Sequence, residues 1–191
     1  MLDFRRIPRE GVKLYDLMQK TISSLEEDEF LEACPYPFLM QVPMTGGQPG
    51  TGSEKATASY AKSAPVDMTV KISYSELRKM QRSKHVENTM IHIVCPRGET
   101  DRVDIGRSKE CDVVLNDATV SKQHAEMYSA LGQWMIVDKG SHNGTLRGQE
   151  KLVPGEPTPL QGGESLRFTA YHAMFLLPEQ VYELSQRMKK G

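Results

Sequence analysis

The chain has 191 residues with 38% hydrophobic content, which suits one domain with an appendage or two small domains. Its 24 lysines and arginines against 25 aspartates and glutamates, a net charge of −1, exclude bulk attraction to nucleic acid or to an acidic membrane surface. Cys34, Cys95, Cys111 and five histidines are too scattered for a disulfide framework or a metal cluster, and no apolar run reaches the ~18 residues of a membrane span. The expectation is a cytoplasmic protein with no metal and no cofactor.

Residues 11–32 (GVKLYDLMQKTISSLEEDEFLE) place Leu14, Leu17, Met18, Ile22 and Leu25 at helical spacing, so residues 1–44 are expected to form an N-terminal helical segment. Glu26, Glu27, Asp28 and Glu29 read as a solvated face, and CPYPF ends the helix because proline lacks the donor and restricts its predecessor. Residues 45–67 are rich in Gly, Ser, Thr, Ala and Pro and are expected to be a flexible linker. Within it, GGQPGTGSEK has the glycine spacing of a phosphate-cradling nucleotide loop. Ser53 stands where that loop needs lysine, and no strand–helix context surrounds it, so a spacer is the better reading. Residues 68–84 are expected to form a short helical lead-in, capped by Ser73 or Ser75.

From residue 85 to 178 short apolar runs alternate with turn chemistry (PRGE, HNG, RGQ, PGEP, QGG). Strands are expected near 90–94, 102–106, 112–115, 125–129, 134–137, 164–168 and 173–177, in a mainly β sandwich. Pro178 then opens a C-terminal helix over 179–191, with Val181, Leu184 and Met188 as a packing stripe.

The chemistry concentrates in IGRSKECDVVLNDATVSKQHAEM and VDKGSHNGT. Arg107, leaving an apolar strand, offers a planar guanidinium that can hold phosphate oxygens in a bidentate way, and Ser121 can donate a hydroxyl beside it. His124 lies three residues from Ser121, but no acid or oxyanion motif accompanies the pair, so neither is expected to be catalytic. Lys109, Lys139 and Arg147 are candidates for a locally positive rim.

Gly106-Arg107, then Ser121-x-x-His124, then Asn143-Gly144-Thr145, in that order and in a many-stranded setting, resembles the forkhead-associated (FHA) domain over about residues 88–177. The resemblance implies an eleven-stranded β-sandwich that reads phosphothreonine peptides through loops at one end. It implies phosphate contacts from Arg107 and Ser121, assistance from Lys122, and a hold on the peptide backbone by Asn143. His142 departs from the Ser or Thr usual at its position, where the side chain contacts the peptide. Gly106, His124 and Gly144 match positions that shape the loops. The implied function is a non-catalytic phosphothreonine-binding module in Ser/Thr-kinase signalling, whose partner is a threonine-phosphorylated protein, the kinase or its substrate. The alternative is a phosphate-independent interaction scaffold. The linker composition is first that of an inert spacer; the alternative is that Thr45, Thr51 or Thr57, once phosphorylated, occupies the same site, closing the chain on itself or joining two chains in self-association.

Overall fold

A computed structural model describes residues 4–42 and 88–189; the expected linker, its threonines and the 68–84 helix lie outside the described residues. Twelve strands among the described residues form two sheets. The first contains β1 (Val12–Lys13), β2 (Phe38–Gln41), β3 (Met90–Ile93), β8 (Thr145–Arg147), β9 (Glu150–Lys151), β11 (Ser165–Phe168) and β12 (Tyr171–Leu176), in the order β1-β3-β2-β12-β11-β8-β9. The second contains β4 (Arg102–Gly106), β5 (Val113–Val114), β6 (Ala125–Ala130), β7 (Gln133–Asp138) and β10 (Thr158–Leu160), in the order β10-β7-β6-β4-β5. Every pairing is antiparallel except β4 with β5.

The mainly β sandwich expected from the sequence is present, and each of the seven expected strands has a counterpart within a few residues. Phe38–Gln41 differs from the reading of residues 1–44 as helical: it is β2, paired with β3 on one side and β12 on the other. The prolines of CPYPF and Val42-Pro43 mark its ends, and four residues are too few to show a period. β8 and β9 escape notice because a two-residue loop joins short polar strands. β10 carries Pro159, which an edge strand tolerates.

Nor is the expected N-terminal helix continuous. It runs as α1 (Leu14–Lys20), a 3-10 turn (Ile22–Ser24) and α2 (Glu27–Ala33). Ser23 Oγ donates to the Gln19 carbonyl at 2.6 Å and Ser24 Oγ to that of Thr21 at 3.0 Å, competing with the helical ladder. The Glu29 carboxylate then accepts from the Glu26 amide at 3.2 Å and starts α2, whose first-turn acids suit the positive end of the helix. The last helix, α3 (Pro178–Lys189), starts where Gln180 Oε1 accepts from the Leu177 amide at 2.9 Å.

Strand alternation sorts the apolar side chains into two cores. Leu39, Ala173 and Phe175 join Val103, Ile105, Val113, Met127, Ile136 and Phe168 between the sheets. Their neighbours Phe38, Met40, Met174 and Leu176 face the other way, into a second core with Ile91, Ile93, Leu14, Met18, Phe30, Val181 and Leu184. At β2, β3 and β12 the first sheet is therefore buried on both faces, and the N-terminal segment and α3 cover the outer one there. Among the described residues no helix is long and apolar enough to cross a membrane.

Candidate functional site

β4 ends at Gly106, and the backbone of the loop before β6 passes directly over it. A Cβ at Gly106 would overlap the Lys122 carbonyl, so glycine is required by the close approach. Two bonds stitch the strand end to that loop: Arg107 N–H donates to the Ser121 carbonyl at 2.9 Å and Ser108 N–H to that of Lys122 at 3.0 Å. Arg107 and Ser121 are thus adjacent although 14 positions apart in sequence.

The exposed Arg107 side chain is oriented by one bond, from Nε to the Val120 carbonyl at 3.1 Å. Neither Nη nitrogen has a hydrogen-bond partner among the described residues, so the outer edge of the guanidinium is free for a planar, bidentate acceptor. Ser121 Oγ accepts from the His142 amide at 3.1 Å. That bond occupies a lone pair and leaves the hydroxyl hydrogen available to donate outward. Lys122, His142 and Asn143 are exposed beside this pair, and their side chains have no hydrogen-bond partner among the described residues.

The bracing lies underneath. His124 is fully buried, edge-on to Phe168 at 5.5 Å between ring centroids. Its Nδ1 accepts from Ser121 N–H at 3.2 Å, which puts the proton of the neutral ring on Nε2. Nε2 faces the Gly144 backbone without a well-formed hydrogen bond among the described residues. Burial lowers the His124 pKa; the Asp138 charge and the Gly144 backbone pull the other way. The neutral form is what the Ser121 contact needs.

Asp138, at the end of β7, organises the loop that carries His142 and Asn143. Its buried carboxylate accepts from Ser141 N–H at 2.8 Å, Ser141 Oγ at 2.7 Å and Thr145 Oγ1 at 2.6 Å. Burial alone raises its pKa, but the Thr145 and Ser141 donors, with His124, bring it below the ordinary value. Gly144 completes the loop at φ +84°, a left-handed conformation. Sequence reasoning missed Asp138, although aspartate and serine are both residues that shape loops through side-chain-to-backbone bonds.

The loops bring together Arg107, Ser121, Lys122 and His142, with Asn143 next in chain. Two members of the expected positive rim are neutralised instead: Lys139 pairs with Asp104 at 3.0 Å and Arg147 with Glu150 at 2.8 Å. No three His, Cys, Asp or Glu side chains among the described residues are grouped to hold a metal ion.

The sequence model of the FHA domain matches residues 103–169, from β4 to the turn after β11. A protein phosphatase 1 regulatory inhibitor subunit PPP1R8 homolog from Arabidopsis thaliana is 33% identical over 96 residues, 46% of this chain and 26% of its own. An oxoglutarate dehydrogenase inhibitor from Corynebacterium efficiens is 38% identical over 71 residues, 37% of this chain and 48% of its own. The matched stretch thus spans less than half of either relative. Among solved structures, the N-terminal FHA domain of S. cerevisiae Rad53p in complex with a phosphothreonine peptide covers 49% of this chain and 88% of that one, at 16% identity and a TM-score of 0.41.

Proposed function

We propose that the FHA domain this chain contains is a non-catalytic reader of phosphothreonine in Ser/Thr-kinase signalling. The observation that carries this reading is the Arg107 guanidinium, oriented through Nε with both Nη groups unpartnered among the described residues, beside the outward-facing Ser121 hydroxyl. A phosphothreonine carries about −1.5 to −2 charges and three strong acceptor oxygens, matching this set of donors. Arg107 and Ser121 take the phosphate, Lys122 adds charge, Asn143 holds the peptide backbone, and His142 touches residues beside the phosphothreonine. Gly106, His124 and Gly144 shape the loops.

The partner is then a protein phosphorylated on threonine, the kinase itself or another of its substrates. The relatives' names, an inhibitor and a regulatory inhibitor subunit, support a role exercised by binding. The experiment is a titration with one peptide sequence in three forms: phosphothreonine, phosphoserine and unmodified threonine. Phosphothreonine is expected to bind most tightly, with the unmodified form silent. Equal binding of phosphorylated and unmodified peptides would give the site to a phosphate-independent scaffold instead.

A further inference from the structure

The N-terminal segment reaches into the neighbourhood of this site through one side chain. Arg9 lies in a turn closed by a 2.9 Å bond from Gly11 N–H to the Pro8 carbonyl. Its own carbonyl accepts from the Val114 amide at 2.9 Å, on the edge strand of the second sheet, while three residues later β1 pairs with β3 in the first. Arg9 Nη1 points at three consecutive carbonyl oxygens, those of Lys109 at 3.4 Å, Glu110 at 3.1 Å and Cys111 at 3.3 Å. These belong to the turn that immediately follows Arg107.

The same turn grips the other half of the site. Ser108 N–H and Cys111 Sγ both donate to the Lys122 carbonyl, at 3.0 and 3.2 Å, and Cys111 N–H donates to the Ser108 carbonyl at 3.1 Å. Arg9 is held in turn: Arg97 donates from Nη1 to the Arg5 carbonyl at 2.7 Å and from Nη2 to the Ile7 carbonyl at 2.5 Å. Three carbonyl dipoles converging on one point repel one another, and a cation among them offsets that repulsion as it does at a helix C-terminus. Without Arg9 the turn keeps its internal bonds to Ser108 and its bonds to Lys122, but loses the cation that balances the three carbonyls.

We propose that Arg9 is a positioning residue for the phosphate site. It fixes the Lys109–Cys111 turn against Lys122, so that Arg107 and Ser121 stand in place before a phosphopeptide arrives. The proposal rests on the phosphothreonine reading above, and Arg9 acts through the turn without touching the ligand. Ordering the site in advance removes a cost that binding otherwise carries.

The test compares wild type with Arg9→Met, which keeps the aliphatic stem, and Arg9→Lys, which restores a cation with three donors. Two readouts are taken: amide hydrogen exchange in the free protein, and affinity for a fluorescent phosphothreonine peptide of degenerate flanking sequence. In Arg9→Met the Ser108 and Cys111 amides are expected to exchange faster while those of β6 and β7 stay unchanged. Affinity falls about three- to thirty-fold, and Arg9→Lys recovers most of both changes. Unchanged exchange at Ser108 and Cys111, uniform acceleration across the core, or affinity within about two-fold of wild type despite a loosened turn would each overturn the proposal. A wild-type chain that ignores the probe overturns the phosphothreonine reading and this role with it.

Discussion

The backbone N–H of His142 donates to the Ser121 hydroxyl at 3.1 Å, so the loop after β7 is tied to the loop before β6 through the serine that faces the site. Ser121→Ala removes this tie together with one donor of the proposed phosphate site. His142 is exposed, so water replaces the lost acceptor and stability changes little. Affinity for a phosphothreonine peptide is expected to fall about ten- to hundred-fold, the range of one hydrogen bond to a charged group. Calorimetric titration beside a thermal melt separates the two effects; a large drop in melting temperature with intact affinity would show that the hydroxyl serves the fold.

Arg107→Ala is expected to abolish measurable phosphopeptide binding and leave the melting curve unchanged, since among the described residues the side chain makes one hydrogen bond, to Val120. Losing one partner of a charge pair costs about 2–5 kcal/mol, roughly thirty-fold to several-thousand-fold in affinity. Arg107→Lys is expected to rescue poorly, because an ammonium cannot bond Val120 and present two parallel donors at once. Affinity of the alanine variant within about three-fold of wild type would remove Arg107 from the site.

The strands that were legible in the sequence are those with an apolar run between turn residues, such as Val103–Ile105 and Ile136 with its neighbours. The Gly106 and Asn143-Gly144 blocks were legible because close backbone approach and a tight loop each demand a particular residue type, and Ser121 because a hydroxyl beside an arginine suits the proposed phosphate site. What stayed hidden depends on contacts far apart in sequence. Nothing around Arg9 announces carbonyls 100 to 102 positions away, and nothing in Phe38–Gln41 announces partners on both sides. One sign was present: Met174 and Leu176 alternate with the equally apolar Ala173 and Phe175, the pattern of a strand buried on both faces.

That two-sided burial makes residues 4–42 part of the folding unit. A chain beginning at residue 88 lacks β2, leaving β3 and β12 unpaired on facing edges, and exposes Ile91, Ile93, Met174 and Leu176. Burying Phe38, Leu39 and Met40 contributes about 1.5–3 kcal/mol each, together comparable with the ~5–15 kcal/mol stability of a whole domain. The shortened chain is expected to unfold without a cooperative urea transition and to lose phosphopeptide binding. A sharp transition at the midpoint of the full chain would show that the sandwich stands alone.

Stability is expected to depend on pH through buried histidines, and His92 most of all. It is 3% exposed, with Nε2 2.8 Å from the Tyr171 hydroxyl, and no partner for Nδ1 among the described residues. Burial pushes its pKa down to about 4, while the Arg9 backbone and Glu10 pull the other way. The unfolded chain takes up a proton near the ordinary value of about 6.5, and the folded chain only near 4. Between those values the unfolded state binds more protons, so the stabilisation is complete above pH ~6.5 and is lost as pH falls toward ~4. The loss is on the order of 3 kcal/mol for this group, and His124 and His172, also lowered chiefly by burial, act in the same direction. Asp138, with its lowered carboxyl pKa, adds a separate loss below the ordinary carboxylate range. His92→Gln keeps a polar group toward Tyr171 without a titrating proton. Urea unfolding from pH 7.5 to 4.5 is expected to show a shallower decline in the variant than in wild type, by close to one proton around pH ~5; parallel declines would mean that His92 titrates normally in the folded chain.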